Sequence, residues 1–162
     1  MSKINPFLWY DTQAEEAAKL YTSLFPNSKI TEIRYLDAES AAATGKEVGS
    51  VFTISFELDG QKYGAMNAGP MFKFNEAISF AVSCKDQEEV DKYWNALTAD
   101  GGQESQCGWL KDKFGLSWQI TPKRLFELIS KGGDITKRVL HAMYQMKKID
   151  IQKLEDAAEG KE

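Results

Sequence analysis

Few side chains in this chain are able to do chemistry, and their types limit what that chemistry can be. There is a single histidine, His141, and there are two cysteines, Cys84 and Cys107. One histidine excludes a histidine-based metal centre. A nucleophilic cysteine needs its thiolate stabilised by a histidine or a helix N-terminus. Cys107 has only Lys111 near it in sequence, so a structural thiol is expected there, and more so at Cys84, which ends an apolar run. His141 falls nearly opposite Val139 and Met143 on its helical stretch. It is expected to face solvent, outside any Ser-His-Asp relay. Glu57 is the candidate carboxylate, at the end of an alternating segment. In a dry cavity it would serve as a general base; at a strand rim it would be a solvated charge.

The elements that must position these groups follow from hydrophobic periodicity. Segment 4–10 reads as a strand, and Thr12 with Glu15 resembles a capping box that opens a helix. Ala14, Ala17, Ala18, Tyr21, Leu24 and Phe25 form its apolar stripe. Segment 30–36 reads as a second strand, and 37–49, rich in Ala, Gly and charge, as a mobile loop. Segments 50–58 and 61–67 are strands joined by Asp59-Gly60, a two-residue hairpin signal. A Gly- and Pro-bearing connection, 67–74, follows. The second half repeats the order: strand 77–84, a helix capped by Asp86 with Glu89, one or two short strands in 103–111, and strand 116–121. Helices then begin at Pro122, Asp134 and Asp150.

The two halves are copies. Ala14 to Phe25 matches Gln87 to Thr98 at an offset of 73 positions, with Glu15 on Glu88, Glu16 on Glu89, Lys19 on Lys92, Tyr21 on Trp94 and Leu24 on Leu97. Phe7 falls on Phe80 at the same offset. One duplication over half a chain implies two packed copies of a supersecondary unit, not a solenoid.

At 162 residues the chain can bury a real core, and 43% apolar with 12% aromatic residues argues against disorder. A net charge of −4 without a basic stripe argues against nucleic acid. No apolar run approaches a membrane span and no signal core opens the chain, so no membrane partner is expected. Two cysteines imply no disulfide framework, and a cytoplasmic setting is the expectation.

Two strand–helix–strand–strand–strand units in tandem resemble the vicinal oxygen chelate superfamily of glyoxalases, bleomycin-resistance proteins and extradiol dioxygenases. The segments Phe7-Leu8-Trp9-Tyr10, Gln13 to Ala17, Tyr21 to Phe25, Ala68 to Phe74 and Cys107 to Gln119 are similar to its PhnB-like branch. Members of that branch are often labelled 3-demethylubiquinone-9 3-methyltransferase-like. The resemblance covers about 4–122 and implies an α+β fold of paired βαβββ modules, with one domain over 1–122 (units at about 4–67 and 77–121) and a helical extension over 123–162.

The resemblance also implies which strand faces look where. Phe7, Trp9, Phe52, Ile54, Phe56, Ile78, Phe80, Val82, Trp118 and Ile120 would pack under helices. Leu8, Thr53, Ser55, Glu57, Asn67, Ser79 and Gln119 would face a concave cavity, with Trp109 at its border. Superfamily metal positions fall near Ile4, Asn67, Ala77 and Gln119, two without donors and two with neutral amides, so no metal and no other cofactor is expected. A nucleoside-type methyl donor usually sits at a Gly-rich strand-to-helix turn, whereas the first such turn here is Asp11-Thr12-Gln13. The leading expectation is a metal-independent homodimer that binds an unidentified small molecule. The alternatives are an enzyme using Glu57 and a scaffold without a ligand.

Overall fold

A computed structural model describes residues 3–161. The chain divides into two compact units, one ending at Lys73 and the other beginning at Phe74. Each carries a four-stranded mixed sheet with one long helix between its first and second strands. The fold is therefore α+β, built from paired βαβββ modules with a C-terminal helical extension.

The first unit runs β1 (Phe7–Tyr10), α1 (Ala14–Leu24), β2 (Lys29–Tyr35), α2 (Ala38–Thr44), β3 (Val51–Leu58) and β4 (Gln61–Asn67). Its strand order is β1-β4-β3-β2, with β1 parallel to β4 and the other pairs antiparallel. Asp59 and Gly60 both have positive φ, 47° and 77°, as the tight hairpin between β3 and β4 requires. The small residues Ala14, Ala17 and Ala18 let α1 sit close on the sheet, and with Tyr21 they bury Ile54, Phe56, Leu58 and Ala65. The segment expected to be a mobile loop contains α2. Asp37 accepts the Ser40 N–H at 2.7 Å as N-cap, and Gly45 closes the helix in the left-handed region. That Asp-to-Gly frame around an alanine run is a helix signal outweighed, in the sequence reading, by the segment's charge.

The second unit runs β5 (Ser79–Cys84), α3 (Gln87–Thr98), β6 (Gln103–Glu104), β7 (Trp109–Lys111), β8 (Ser117–Pro122), α4 (Lys123–Ile129), α5 (Gly133–Tyr144) and α6 (Ile151–Glu159). Its order, β5-β8-β7-β6, repeats that of the first unit. Asp86 caps α3 by accepting the Glu89 N–H at 2.9 Å, while Glu89 reaches back to the Lys85 N–H at 2.8 Å. The three tail helices bury Leu125, Leu128, Val139, Met146, Ile149 and Leu154 against one another. They are tied to α3 by Gln87, whose amide donates to the Ile149 carbonyl at 3.0 Å and accepts the Ile151 N–H at 2.9 Å. The apolar face of the tail is thus covered within its own unit. No helix among the described residues is long and apolar enough to cross a membrane.

The helices keep the 73-residue offset, but the first strands do not. Leu8 and Tyr10 are buried under α1, whereas Phe7 is exposed and Trp9 lies on the same open side. In β5 the inward residues are Phe80, Val82 and Cys84, paired in β8 with Trp118, Ile120 and Pro122. Phe7 and Phe80 therefore point to opposite sides. Period-two alternation defines two faces, but a run such as Phe-Leu-Trp-Tyr is apolar on both, so pairing decides between them. Leu8 lies beside Ala65 and Ile54 in one buried row, and the Tyr10 hydroxyl meets that of Tyr21 at 3.2 Å.

Candidate functional site

On the first sheet, register places the open face in rows. Phe7, Gly64, Ser55 and Glu32 form one; Trp9, Met66, Thr53 and Arg34 the next; Lys62, Glu57 and Lys29 a third. Thr53, Ser55 and Glu57 thus share the side expected for a ligand. Glu57 is half-buried between lysines on both neighbouring strands. Opposite charges across a ladder attract, so this row is a rim of alternating charge. A groove of about 610 Å3 runs along this face, lined by Pro6, Phe7, Glu32, Ser55, Glu57 and Lys62 among others. Its aromatic wall is possible because of one glycine. A Cβ on Gly64 would lie 2.5 Å from Phe7 Cδ2, so only glycine lets the Phe7 ring lie flat on β4. Phe7 nevertheless remains 61% exposed, a large apolar ring presented toward the groove. Trp9 is held beside it by its indole N–H, which donates to the Gly69 carbonyl at 2.8 Å, and by an edge contact with Phe72 at 4.9 Å.

Two expected cavity residues belong to the opposite side. Leu8 is buried under α1 because it pairs with Ala65 in the core row. Asn67 is buried as well, and both ends of its amide are bonded within the unit. Its Oδ1 accepts the Ala14 N–H at 2.8 Å, and its Nδ2 donates to the Val51 carbonyl at 3.2 Å. Asn67 therefore serves the N-terminus of α1 in place of the expected Thr12–Glu15 box, and Gln13, the N-cap residue, makes no side-chain cap bond. The Asn67 main-chain oxygen also accepts from Lys46 Nζ at 2.6 Å, which straps the segment after α2 to β4. Phe7 and Trp9, expected under the helix, are on the open face for the reason given above. Ile78 precedes β5 and is 70% exposed.

On the second sheet the register puts Ser79, Ser117 and Lys111 in one row, and Gln119 beside Trp109 in the next. Gln119 Nε2 donates to Ser79 Oγ at 2.9 Å. Ser79, Trp109 and Gln119 thus share one face. Glu76 pairs with Lys111 at its edge, and this contact holds the Glu76 carboxyl below the usual range. The sequence reading overlooked Asp112, buried in the turn between β7 and β8. Its carboxylate accepts the Phe114 and Leu116 N–H groups and the Trp118 indole N–H, all within 3.0 Å. An Asp followed by Gly115 in a Lys-Asp-Lys-Phe-Gly turn is the signal that marks it.

The remaining candidates stand apart. Cys84 is fully buried; burial first, then the Glu89 and Asp86 charges, pushes its thiol up to about 12. Cys107 has φ of 57° and donates its N–H to the Met146 carbonyl, and His141 is exposed on α5. The superfamily metal positions do not fit a metal. Ile4 and Ala77 are exposed ahead of their strands, the Asn67 amide is occupied, and the Gln119 amide nitrogen is bonded to Ser79. Among the described residues no three His, Cys, Asp or Glu side chains converge.

The comparisons with known proteins agree with this architecture. The profile of the family described as 3-demethylubiquinone-9 3-methyltransferase matches residues 2–121. A PhnB protein from Bacillus cereus is 33% identical, with a TM-score of 0.67 over 75% of this chain and 99% of that one. PA1353 from Pseudomonas aeruginosa is 15% identical, with a TM-score of 0.59 over 75% of this chain and 98% of its own. The fosfomycin resistance protein FosX from Listeria monocytogenes is 14% identical, with a TM-score of 0.50 over 75% and 93%. These last two show the fold alone. No curated protein matches. The family match across both modules, together with the paired β1-β4-β3-β2 pattern, makes the chain a member of the 3-demethylubiquinone-9 3-methyltransferase family, the PhnB-like branch of the vicinal oxygen chelate superfamily.

Proposed function

We propose that the chain is a metal-independent binding protein for a small polar organic molecule with a flat apolar part, held in the groove on the first sheet. The observation that supports it most is the Phe7 ring laid across Gly64, exposed beside Ser55 and the cross-strand neighbours Glu57 and Lys62. An exposed aromatic ring next to a hydroxyl and charges of both signs suits a ligand with one apolar face and a polar edge. Ser55 offers a donor or an acceptor, Glu57 accepts, and Lys62 donates. The methyl-transfer activity in the family description has less support here. Each sheet is mixed rather than doubly wound, and the first strand-to-helix turn carries no glycine. A catalytic Glu57 is the second reading, supported by its half-buried place in the groove. Assembly as a homodimer belongs to the proposal through family resemblance alone, and light scattering on the purified chain tests it.

The test is native mass spectrometry of untagged protein as purified, with metal analysis of the same sample. A co-purified organic adduct without stoichiometric metal is the expected result. A transition metal near one per subunit would overturn the proposal, because Asn, Gln, Glu or Cys side chains would then have to build a centre.

A further inference from the structure

The charges of the first-sheet groove restrict what it can hold. Three charged side chains line it, Glu32, Glu57 and Lys62. Glu32 is already answered, since Arg34 Nε donates to its Oε1 at 3.0 Å. The Glu57 carboxylate is only half-buried and is reachable from the groove, yet among the described residues it has no hydrogen bond or ion pair. It can accept N–H groups brought by a ligand.

Glu57 does not stand alone. It is in register with Lys29 on β2 and Lys62 on β4, so the row reads positive, negative, positive. Both lysines are exposed, and each ammonium has three donors. A purely cationic ligand on Glu57 would lie between two ammonium groups. A purely anionic ligand on the lysines would lie beside the carboxylate. Like charges brought together in this way cost affinity. A ligand that carries both signs a short distance apart meets an opposite charge at each place. The row lies two residues along the strands from Phe7, Gly64 and Ser55, about 7 Å away. That separation suits an aromatic ring joined to its charged end by one or two carbons, with the ring stacked on exposed Phe7.

We infer that the groove takes a zwitterionic aromatic amino acid, with its ammonium on Glu57, its carboxylate on Lys62 or Lys29 and its ring against Phe7. This rests on the groove being the ligand site and names the class of ligand.

The test is amide NMR of the full chain titrated with phenylalanine, with 3-phenylpropanoate, which lacks the ammonium, and with 2-phenylethylamine, which lacks the carboxylate. Phenylalanine should shift the amides of 7, 55–57 and 62–64 saturably. It should bind about threefold tighter than either single ion, the value of one exposed ion pair. Glu57→Gln should weaken phenylalanine by about threefold and leave 3-phenylpropanoate unchanged or tighter. Lys29→Gln combined with Lys62→Gln should weaken phenylalanine likewise and leave 2-phenylethylamine unchanged or tighter. A general loss of fold would not produce these opposite effects. The inference is overturned if either single ion binds as tightly as phenylalanine, if Glu57→Gln leaves phenylalanine unaffected, or if no probe shifts these amides. The groove reading is judged separately. A co-purified adduct that is lost in Gly64→Ala upholds it even where these probes fail, and an adduct retained in that variant ends both.

Discussion

The Asp112 carboxylate accepts the indole N–H of Trp118 at 2.9 Å, so the turn between β7 and β8 is locked to the core residue that follows it. The same carboxylate takes two backbone N–H groups of the turn, and both side chains are 2% exposed. Asp112→Ala orphans three buried or partly buried donors. It should cost about 3 kcal/mol or more. Asp112→Asn should also destabilise, because one oxygen becomes an NH2 group facing either the indole or the backbone N–H groups. Urea denaturation gives the magnitude, and the Trp118 indole proton resonance should move in the Asn variant.

Asn67→Ala removes the distant cap of α1 and leaves the Val51 carbonyl without its amide partner. The expected cost is about 1–2 kcal/mol. Hydrogen exchange should quicken at the Ala14 amide. A ligand in the first-sheet groove should still bind, since Asn67 faces the other way.

The fold was largely legible in the sequence and the faces only partly. β3 alternates Phe52, Ile54, Phe56 and Leu58 with Thr53, Ser55 and Glu57, and its facing is as the pattern implies, because only one side is continuously apolar. β1 is apolar on both sides, and no local rule decides its orientation. The Tyr10–Tyr21 and Leu8–Ala65 partners that decide it are 11 and 57 positions apart in sequence. The family resemblance, applied to the strand alternation, puts Asn67 in the cavity with Thr53 and Ser55. The role of Asn67 as a cap depends on the end of α1 lying next to β4, which no spacing in the chain reveals.

Gly64→Ala should displace the Phe7 ring while leaving the fold nearly intact. The clash is with the ring of an exposed side chain, so the stability change should stay within about 1 kcal/mol. Any organic adduct seen by native mass spectrometry should be lost. Retention of the adduct in this variant would remove Phe7 from the site.

Cys84 makes the protein sensitive to alkali in a defined direction. The folded state holds this thiol protonated up to about 12, whereas in an unfolded chain it ionises near about 8.5. Above about 8.5 the unfolded state therefore binds fewer protons. The contribution of Cys84 is complete below that pH and is lost progressively as the pH rises toward 12. Denaturation at a series of pH values should show a shallower alkaline decline in Cys84→Ala than in wild type. Native Cys84 should also resist alkylation at neutral pH.

Gln87→Ala should loosen the tail selectively. It removes the donor to the Ile149 carbonyl and the acceptor for the Ile151 N–H. It also removes a bond to Asp91, whose carboxyl is held low first by Lys148 and then by Gln87. Exchange should rise in 147–154 while the β5–β8 core stays protected.

The divergence of the first strands limits how one half can inform the other. Within the long helices some positions keep their environment across the duplication at 73 positions, as Tyr21 and Trp94 do, whereas buried Ala18 falls on Asp91, whose side chain is 42% exposed. In β1 and β5 the same transfer exchanges core for solvent. A consensus sequence averaged over both halves would therefore scramble the first strands. Symmetrised versions of this protein will fold only if the strand is moved by one position before the halves are merged.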